Sequence, residues 1–226
     1  PQFARVLKTI GFDHCYTRAS GQYLWDVEGR EYLDFLGGYA SVNVGRNHPV
    51  VRRALEDVLA ATHWVSDNLA DLGGSEAMGV AGDSAGGGLT LATLLHIRDK
   101  GLEQPRCAVT FSPGSNAFPD DKILDALDPS DAMLSADIIR TVIDIYIPNP
   151  DDRSHPYASP CLGDYTGICP LLITASTDEV LYADGKRVRR AAEQAGVRVE
   201  WIERPGVFHV WPIMVPFLPE ANKDLK

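Results

Sequence analysis

The chain lacks the features that mark several large classes of protein. No apolar stretch approaches the ~18 residues of a membrane-spanning helix, and no basic-then-apolar leader opens the sequence. No run rich in lysine and arginine occurs, and the net charge of −10 is opposite in sign to that of most nucleic-acid-binding domains. We therefore expect a cytoplasmic protein that neither spans a membrane nor binds nucleic acid.

Cysteine is scarce as well, with four residues in 226. None of the four stands in a CxxC pair or in a Cys/His spacing typical of zinc sites, so we interpret them as free thiols and expect no metal. The phosphate-binding patterns GxGxxG and GK[ST] are also absent, and nothing else in the sequence implies an organic cofactor.

What the chain does contain is an ordinary globular composition with an uneven distribution of charge. Hydrophobic residues make up 45% and charged residues 23%, which is enough apolar material for one sizeable core. Basic and acidic residues balance in residues 1–60, so the whole net charge of −10 lies in residues 61–226. This asymmetry indicates that the two parts differ in origin.

Beyond residue 75, short apolar runs alternate with helical patterns. The runs predict strands at 77–81, 107–111, 171–175 and 197–202, and the patterns between and after them predict helices at 89–98, 136–146 and 186–195. Strands that alternate with helices indicate βαβ units, so we predict an α/β fold with a mostly parallel sheet flanked by helices. Before residue 60, the pattern predicts a hairpin of strands 22–26 and 30–35 around a turn at 27–29, then a helix from Pro49.

The clearest chemical signal is the run Gly82-Asp83-Ser84-Ala85-Gly86, which satisfies G-x-S-x-G between a predicted strand and a predicted helix. This context is typical of a nucleophile elbow, in which the serine lies on a strained turn and its neighbours without a Cβ keep the turn open. Ser84 is therefore the candidate nucleophile, and the N–H of Ala85 is the candidate oxyanion donor. The alternative is a glycine-rich helix start without chemistry, or an anion-binding loop.

A serine nucleophile needs a base and an acid, which follow it in the chain order Ser, acid, His. His96 lies before any such acid and His155 lies in a polar loop, whereas His209 follows the last predicted strand and is the candidate base. The candidate acid is Asp178, three residues after the strand 171–175, with Glu179 and Asp184 as neighbouring alternatives. We expect Glu179 to face solvent. His209 could instead be a packed core residue.

With these residues identified, the chain from about residue 54 resembles the hormone-sensitive-lipase-like α/β-hydrolase esterases. The matching stretches are ALEDV (54–58), GDSAGGGL (82–89), STDEVL (176–181) and PGVFHVW (205–211). The resemblance implies Ser84 as nucleophile, Asp178 as acid and His209 as base. It also implies hydrolysis of short acyl esters, as small-molecule substrates, through an acyl-enzyme intermediate.

Residues 1–60 resemble a different family, the class III pyridoxal-phosphate aminotransferases, at its N-terminal portion. The matching stretches are GQYLWD (21–26), EYLDF (31–35) and GRNHPV (45–50). The cofactor domain of that family has no counterpart downstream, so no cofactor site follows from the resemblance. We therefore predict a chimera of an aminotransferase-like segment, 1–60, and an α/β-hydrolase catalytic portion, 61–226.

The hydrolase resemblance also shows what the chain departs from. The His-Gly-Gly-Gly stretch that completes the oxyanion hole in that family is absent, and its first strands and N-terminal cap are missing or replaced. Gly37-Gly38 is a superficial substitute with the wrong spacing. An incomplete sheet would expose an edge, so the chain either forms a homo-oligomer there or covers the edge with its N-terminal segment. The alternative function is a weakly active or inactive scaffold of the hydrolase fold.

Overall fold

The computed structural model describes most of the predicted hydrolase portion and part of the N-terminal segment. The described residues are 16–20, 23–33, 54–74, 77–147 and 149–225. The chain divides into two units, Pro1–Asp57 and Val58–Lys226. The predicted boundary between residues 60 and 61 stays a prediction.

The first unit contains a small antiparallel sheet. Its strands are β1 (Tyr16–Ser20), β2 (Tyr23–Asp26) and β3 (Glu31–Leu33), paired in the order β1-β2-β3. The predicted hairpin is confirmed for the described residues, because β2 and β3 pair antiparallel with Trp25 opposite Glu31. The buried Asp26 stabilises the turn, since its Oδ1 accepts the N–H groups of Glu28 and Arg30 at 3.0 and 2.9 Å. Residues 34–35 of the predicted second strand lie outside the described residues.

The second unit is built on a parallel sheet whose four strands lie in chain order. The strands are β4 (Gly79–Asp83), β5 (Cys107–Phe111), β6 (Leu171–Ser176) and β7 (Val199–Arg204). All three neighbouring pairs run parallel, which confirms the predicted parallel sheet. The predicted end of the first of these strands was wrong by two residues. Gly82 and Asp83 still pair with Thr110 and Phe111, so the chain leaves the sheet at Ser84.

Six α-helices accompany the strands in the described residues. They are α1 (Ala54–Asp67), α2 (Ser84–Asp99), α3 (Asp121–Leu127), α4 (Ala136–Tyr146), α5 (Tyr182–Gln194) and α6 (Pro219–Asp224). The prediction for 136–146 matches α4, whose first turn is capped by the Ser135 side chain. The helix predicted from Pro49 is described only from Ala54 onward.

The core of the second unit lies between α2, α5 and the sheet. Leu91, Leu94 and Leu95 on α2 pack with Ile173 on β6 and Val188 on α5, and all five side chains are fully buried. Burying such side chains contributes about 1.5–3 kcal/mol each, so this cluster fixes both helices against the strands.

The strand β4 lies at the border of the parallel sheet. Among the described residues it pairs with β5 and with no strand on its other side. The expected association through this edge stays a prediction, and so does its coverage by the N-terminal segment. Within the described part of the chain, no helix has both the length and the apolar character needed to cross a membrane.

Candidate active site

The strand β4 passes into helix α2 at a strained turn centred on Ser84. Ser84 has a φ of +52°, a left-handed conformation that is unusual for a residue with a side chain. The turn is so tight that a Cβ at Gly82 would collide with the carbonyl oxygen of Gly86. The glycine at 82 is therefore a steric requirement of this turn, which agrees with the interpretation of the G-x-S-x-G run as a nucleophile elbow.

Gly88, on the first turns of α2, is a second position near Ser84 at which a Cβ would not fit. A Cβ there would collide with the carbonyl oxygen of Gly114, which lies in the loop after β5. This close approach brings the loop against the start of the helix, and the N–H of Gly114 donates to the carbonyl oxygen of Ser84 at 2.9 Å. Ala85, the second residue of α2, has one of the helix's first N–H groups, which have no acceptor within a helix.

The candidate base His209 lies in the loop after β7 and is 3% exposed. Its Nδ1 lies 2.7 Å from Oε2 of Glu179, a residue that is 2% exposed. The other carboxylate oxygen of Glu179 accepts the N–H of Ser176 at 3.0 Å. A carboxylate with one oxygen on the backbone and the other on the imidazole fixes the orientation and tautomer of the ring.

The structure does not pair the predicted acid, Asp178, with the predicted base, His209. Its Oδ2 accepts the N–H of Gly206 at 2.8 Å, and its Oδ1 accepts the hydroxyl of Thr177 at 2.9 Å. Strand β6 continues to Ser176, one residue further than predicted, so the residue that turns inward toward His209 is the next one along. The expectation that Glu179 faces solvent was wrong. Asp178 instead holds the turn that precedes the base.

On the far side of the imidazole, Nε2 of His209 is buried and has no hydrogen-bond partner among the described residues, Ser84 included. A buried polar nitrogen without a partner costs free energy, and a catalytic role is one reason for such a group to persist. Hydrogen bonds between catalytic groups are often long before substrate binds. Nε2 is the atom that a serine-hydrolase base uses to take the proton of the nucleophile.

The two rejected histidines lie together, away from the elbow. The ring centroids of His96 and His155 are 5.1 and 4.8 Å from that of Tyr157. His155 also accepts the N–H of Tyr157 at 3.1 Å through Nδ1. His96 lies in the last turn of α2, about 18 Å from its first residue at 1.5 Å per residue. Neither histidine is in a position to serve Ser84.

The loop after β5 is a part of the site that sequence reasoning missed. Ser112 at its start is fully buried, and its Oγ accepts the N–H of Val210, the residue after His209, at 3.1 Å. Its own N–H donates to the carbonyl of Thr174 on β6 at 2.9 Å. The partners are 98 and 62 residues away, and no local pattern identifies contacts at such separations.

Helix α5 supports the same loop through a buried carboxyl group. Oδ2 of Asp184 accepts the N–H of Ser115 at 3.1 Å, and both residues are nearly inaccessible to solvent. Burial raises the pKa of Asp184 to about 7, because the charged form loses its hydration, while the hydrogen bond from Ser115 and the nearby Arg187 partly oppose the change. Asp184, one of the alternatives for the acid, thus contacts the loop and not the base.

The described cysteines are free thiols, which agrees with the prediction for Cys107, Cys161 and Cys169, while Cys15 lies outside the described residues. Burial raises the pKa of Cys161 to about 12 and that of Cys169 to about 11, so these thiols stay protonated near neutral pH. The described residues contain no group of three His, Cys, Asp or Glu side chains suited to a metal ion. The substitute oxyanion donor Gly37-Gly38 also lies outside the described residues.

Comparison with known proteins identifies the family to which the chain belongs. Residues 47–213 match the alpha/beta hydrolase fold family, and the chain belongs to that family. It is 35% identical to an acetyl-hydrolase of Streptomyces hygroscopicus over 173 residues, which are 76% of this chain and 56% of that protein. The chain therefore spans little more than half the length of this curated relative.

Solved structures show which branch of that family the chain resembles. A crystal structure of EstE5 soaked with ethyl alcohol superposes with a TM-score of 0.71 at 33% identity, over 80% of this chain and 60% of that one. An esterase from the bacterial hormone-sensitive lipase family gives a TM-score of 0.68 at 27% identity, over 76% and 56%. The resemblance to hormone-sensitive-lipase-like esterases is confirmed.

The N-terminal resemblance is confirmed as well. Residues 8–76 match the class-III aminotransferase family, and this match overlaps the hydrolase match over residues 47–76. The overlap includes the region near residues 54–58, where the sequence stretches typical of the two families meet. The chain thus joins a short aminotransferase-like segment to an α/β-hydrolase portion.

Proposed function

We propose that this chain is a serine carboxylesterase that hydrolyses short-chain acyl esters through an acyl-enzyme intermediate. The observation that supports it most is the buried pair of Glu179 and His209, which lies in the loops after β6 and β7. Ser84 follows β4, so all three residues come from the carboxyl ends of parallel strands, where α/β proteins bind their ligands.

In the proposed reaction, Oγ of Ser84 attacks the ester carbonyl while Nε2 of His209 takes its proton. Glu179 keeps the Nδ1 proton of His209 in place and stabilises the imidazolium that forms, so Nε2 is the nitrogen left free for the transfer. The N–H of Ala85 donates to the oxyanion of the tetrahedral intermediate. His209 then protonates the leaving alcohol, and the acyl group remains on Ser84.

Water completes the cycle by the reverse proton movements. His209 takes a proton from water, which attacks the acyl carbonyl, and the imidazolium returns that proton to Oγ of Ser84 as the carboxylic acid leaves. The names of the relatives support acyl groups of this size, since one is an acetyl-hydrolase and EstE5 crystals were soaked with p-nitrophenyl butyrate. A missing second oxyanion donor would lower the rate by about 10²–10³-fold.

Hydrolysis of p-nitrophenyl acetate and butyrate tests the proposal. The whole chain is compared with Ser84→Ala and His209→Ala, and His155→Ala is the matched control because that histidine lies beside Tyr157 and away from the elbow. We expect hydrolysis above the buffer rate for the unaltered chain and His155→Ala, and none above it for the other two. Hydrolysis that survives Ser84→Ala would overturn Ser84 as the nucleophile, and no hydrolysis by the unaltered chain would favour the inactive scaffold instead.

A further inference from the structure

Among the described residues, three that are not glycine have a left-handed backbone, and all three belong to or adjoin the candidate site. They are Ser84 with a φ of +52°, Ser112 with +49° and Val210 with +55°. Ser84 is the candidate nucleophile, and Val210 directly follows the candidate base. Left-handed conformations of such residues cost about 1–3 kcal/mol each and persist only when their surroundings hold them.

Val210 is the most demanding of the three because it is β-branched. A branched side chain is the least tolerated in the left-handed region, so this backbone needs support from its neighbours. Its N–H donates to Oγ of Ser112 at 3.1 Å, and its side chain is buried. The conformation of Val210 sets the direction in which the chain leaves His209, and thus where the imidazole lies.

Ser112 is well placed to provide that support. It is fully buried, and its N–H is fixed to the carbonyl of Thr174 on the neighbouring strand. Two residues later, the N–H of Gly114 donates to the carbonyl of Ser84 at 2.9 Å. The segment from residue 112 to 114 therefore binds the residue after the base at one end and the nucleophile at the other.

We propose that Ser112 is a positioning residue that sets the distance between the nucleophile and Nε2 of His209. Its hydroxyl stabilises the left-handed turn at Val210, and the same loop holds Ser84 through Gly114. Ser112 itself need not touch the substrate. This inference rests on the proposed function for its kinetic consequence, but its structural consequence at His209 is measurable without turnover.

The test compares Ser112→Ala with Thr110→Val. Thr110 lies two residues earlier, near the end of β5, and is equally buried, but its Oγ1 has no hydrogen-bond partner among the described residues. Thr110→Val thus removes a buried hydroxyl without removing a bond. Ser112→Gly is a second variant, in which the left-handed φ at residue 112 is easily adopted, in case Ser112→Ala fails to fold.

Two readouts are measured on the whole chain. The first is kcat and KM for p-nitrophenyl acetate, where we expect Ser112→Ala to lower kcat by roughly 2- to 12-fold, as for the loss of one neutral hydrogen bond, with KM unchanged. The second is the low-field proton resonance of Nδ1 of His209 in its bond to Glu179. We expect it to shift or broaden in Ser112→Ala and to stay in place in Thr110→Val.

The two readouts separate failure of this inference from failure of the proposed function. If the unaltered chain hydrolyses no ester but the resonance responds only to loss of the Ser112 hydroxyl, the positioning role is supported and the esterase is not. If Ser112→Ala and Ser112→Gly match Thr110→Val in the resonance and in any measurable kcat, the positioning role is overturned.

Discussion

The carboxylate of Glu179 is the feature whose removal has the most specific consequence. In Glu179→Gln, the amide keeps the size and shape of the side chain and its oxygen still accepts the N–H of Ser176. The amide NH₂ then faces Nδ1 of His209, where the carboxylate oxygen lay at 2.7 Å. Two donors cannot share that bond, so the imidazole adopts the tautomer with its proton on Nε2.

An imidazole with a proton on Nε2 cannot take the proton of Ser84. From this loss of the correct tautomer we expect kcat to fall by on the order of 10⁴-fold, the size that the corresponding Asp-to-Asn change has in a serine protease. Asp178→Asn is the matched control, because an asparagine oxygen still accepts the N–H of Gly206. That variant should stay within a few fold of the unaltered chain, since the bond from Gly206 weakens without being lost and the asparagine NH₂ can donate to the Thr177 hydroxyl oxygen.

The assay is the pH dependence of p-nitrophenyl acetate hydrolysis by both variants, with thermal unfolding as the check on folding. Glu179 is almost completely buried whereas Asp178 is partly exposed, so the two substitutions do not disturb the packing equally. A comparison of the unfolding midpoints therefore identifies any loss of activity that is due to misfolding. The role of Glu179 is overturned if Asp178→Asn loses more activity than Glu179→Gln while both remain folded.

Two further predictions concern stability. In Gly88→Ala, the new Cβ meets the carbonyl of Gly114, so we expect a destabilisation of about 1–3 kcal/mol. Gly86→Ala is the control, because its Cβ has open space, and this variant should be neutral or up to about 1 kcal/mol more stable. Equal urea midpoints for the two would contradict this. Burial raises the pKa of Asp184 from 3.8 to about 7, so the fold favours its protonated form, and the stability this contributes is complete below pH ~4 and lost as pH rises through about 7. Urea unfolding at several pH values should show that the free energy of unfolding falls by on the order of 4 kcal/mol over that pH range. Asp184→Asn should abolish this fall. An unchanged dependence of the unfolding free energy on pH in the variant would contradict its assignment to Asp184.

Much of the fold follows from local pattern. The apolar runs at 107–111 and 171–175 mark β5 and β6 because buried parallel strands are short and continuously apolar. The helix α2 starts five residues earlier than its apolar pattern predicts, since its first turn is built of small residues that pack closely against the loop at Gly114. Apolar periodicity does not record such steric requirements.

The candidate site was predictable where it depends on local sequence pattern. Ser84 stands in a motif with a defined local context, and His209 follows a predicted strand after a turn, so both could be identified from sequence. Asp178 and Glu179 are adjacent acidic residues, and the choice between them depends on where β6 ends and which side chain turns inward. The role of Ser112 depends on a contact with Val210 across 98 residues, which only the folded chain reveals.

Covalent labelling reports whether Ser84 is an activated nucleophile. A fluorophosphonate probe reacts with serines whose proton is taken by a neighbouring base, so intact-mass spectrometry and peptide mapping report the residue that was activated. We expect one adduct, on Ser84, that is lost in Ser84→Ala and strongly slowed in His209→Ala. No adduct on the folded chain, or an adduct on another residue, would overturn the nucleophilic role of Ser84.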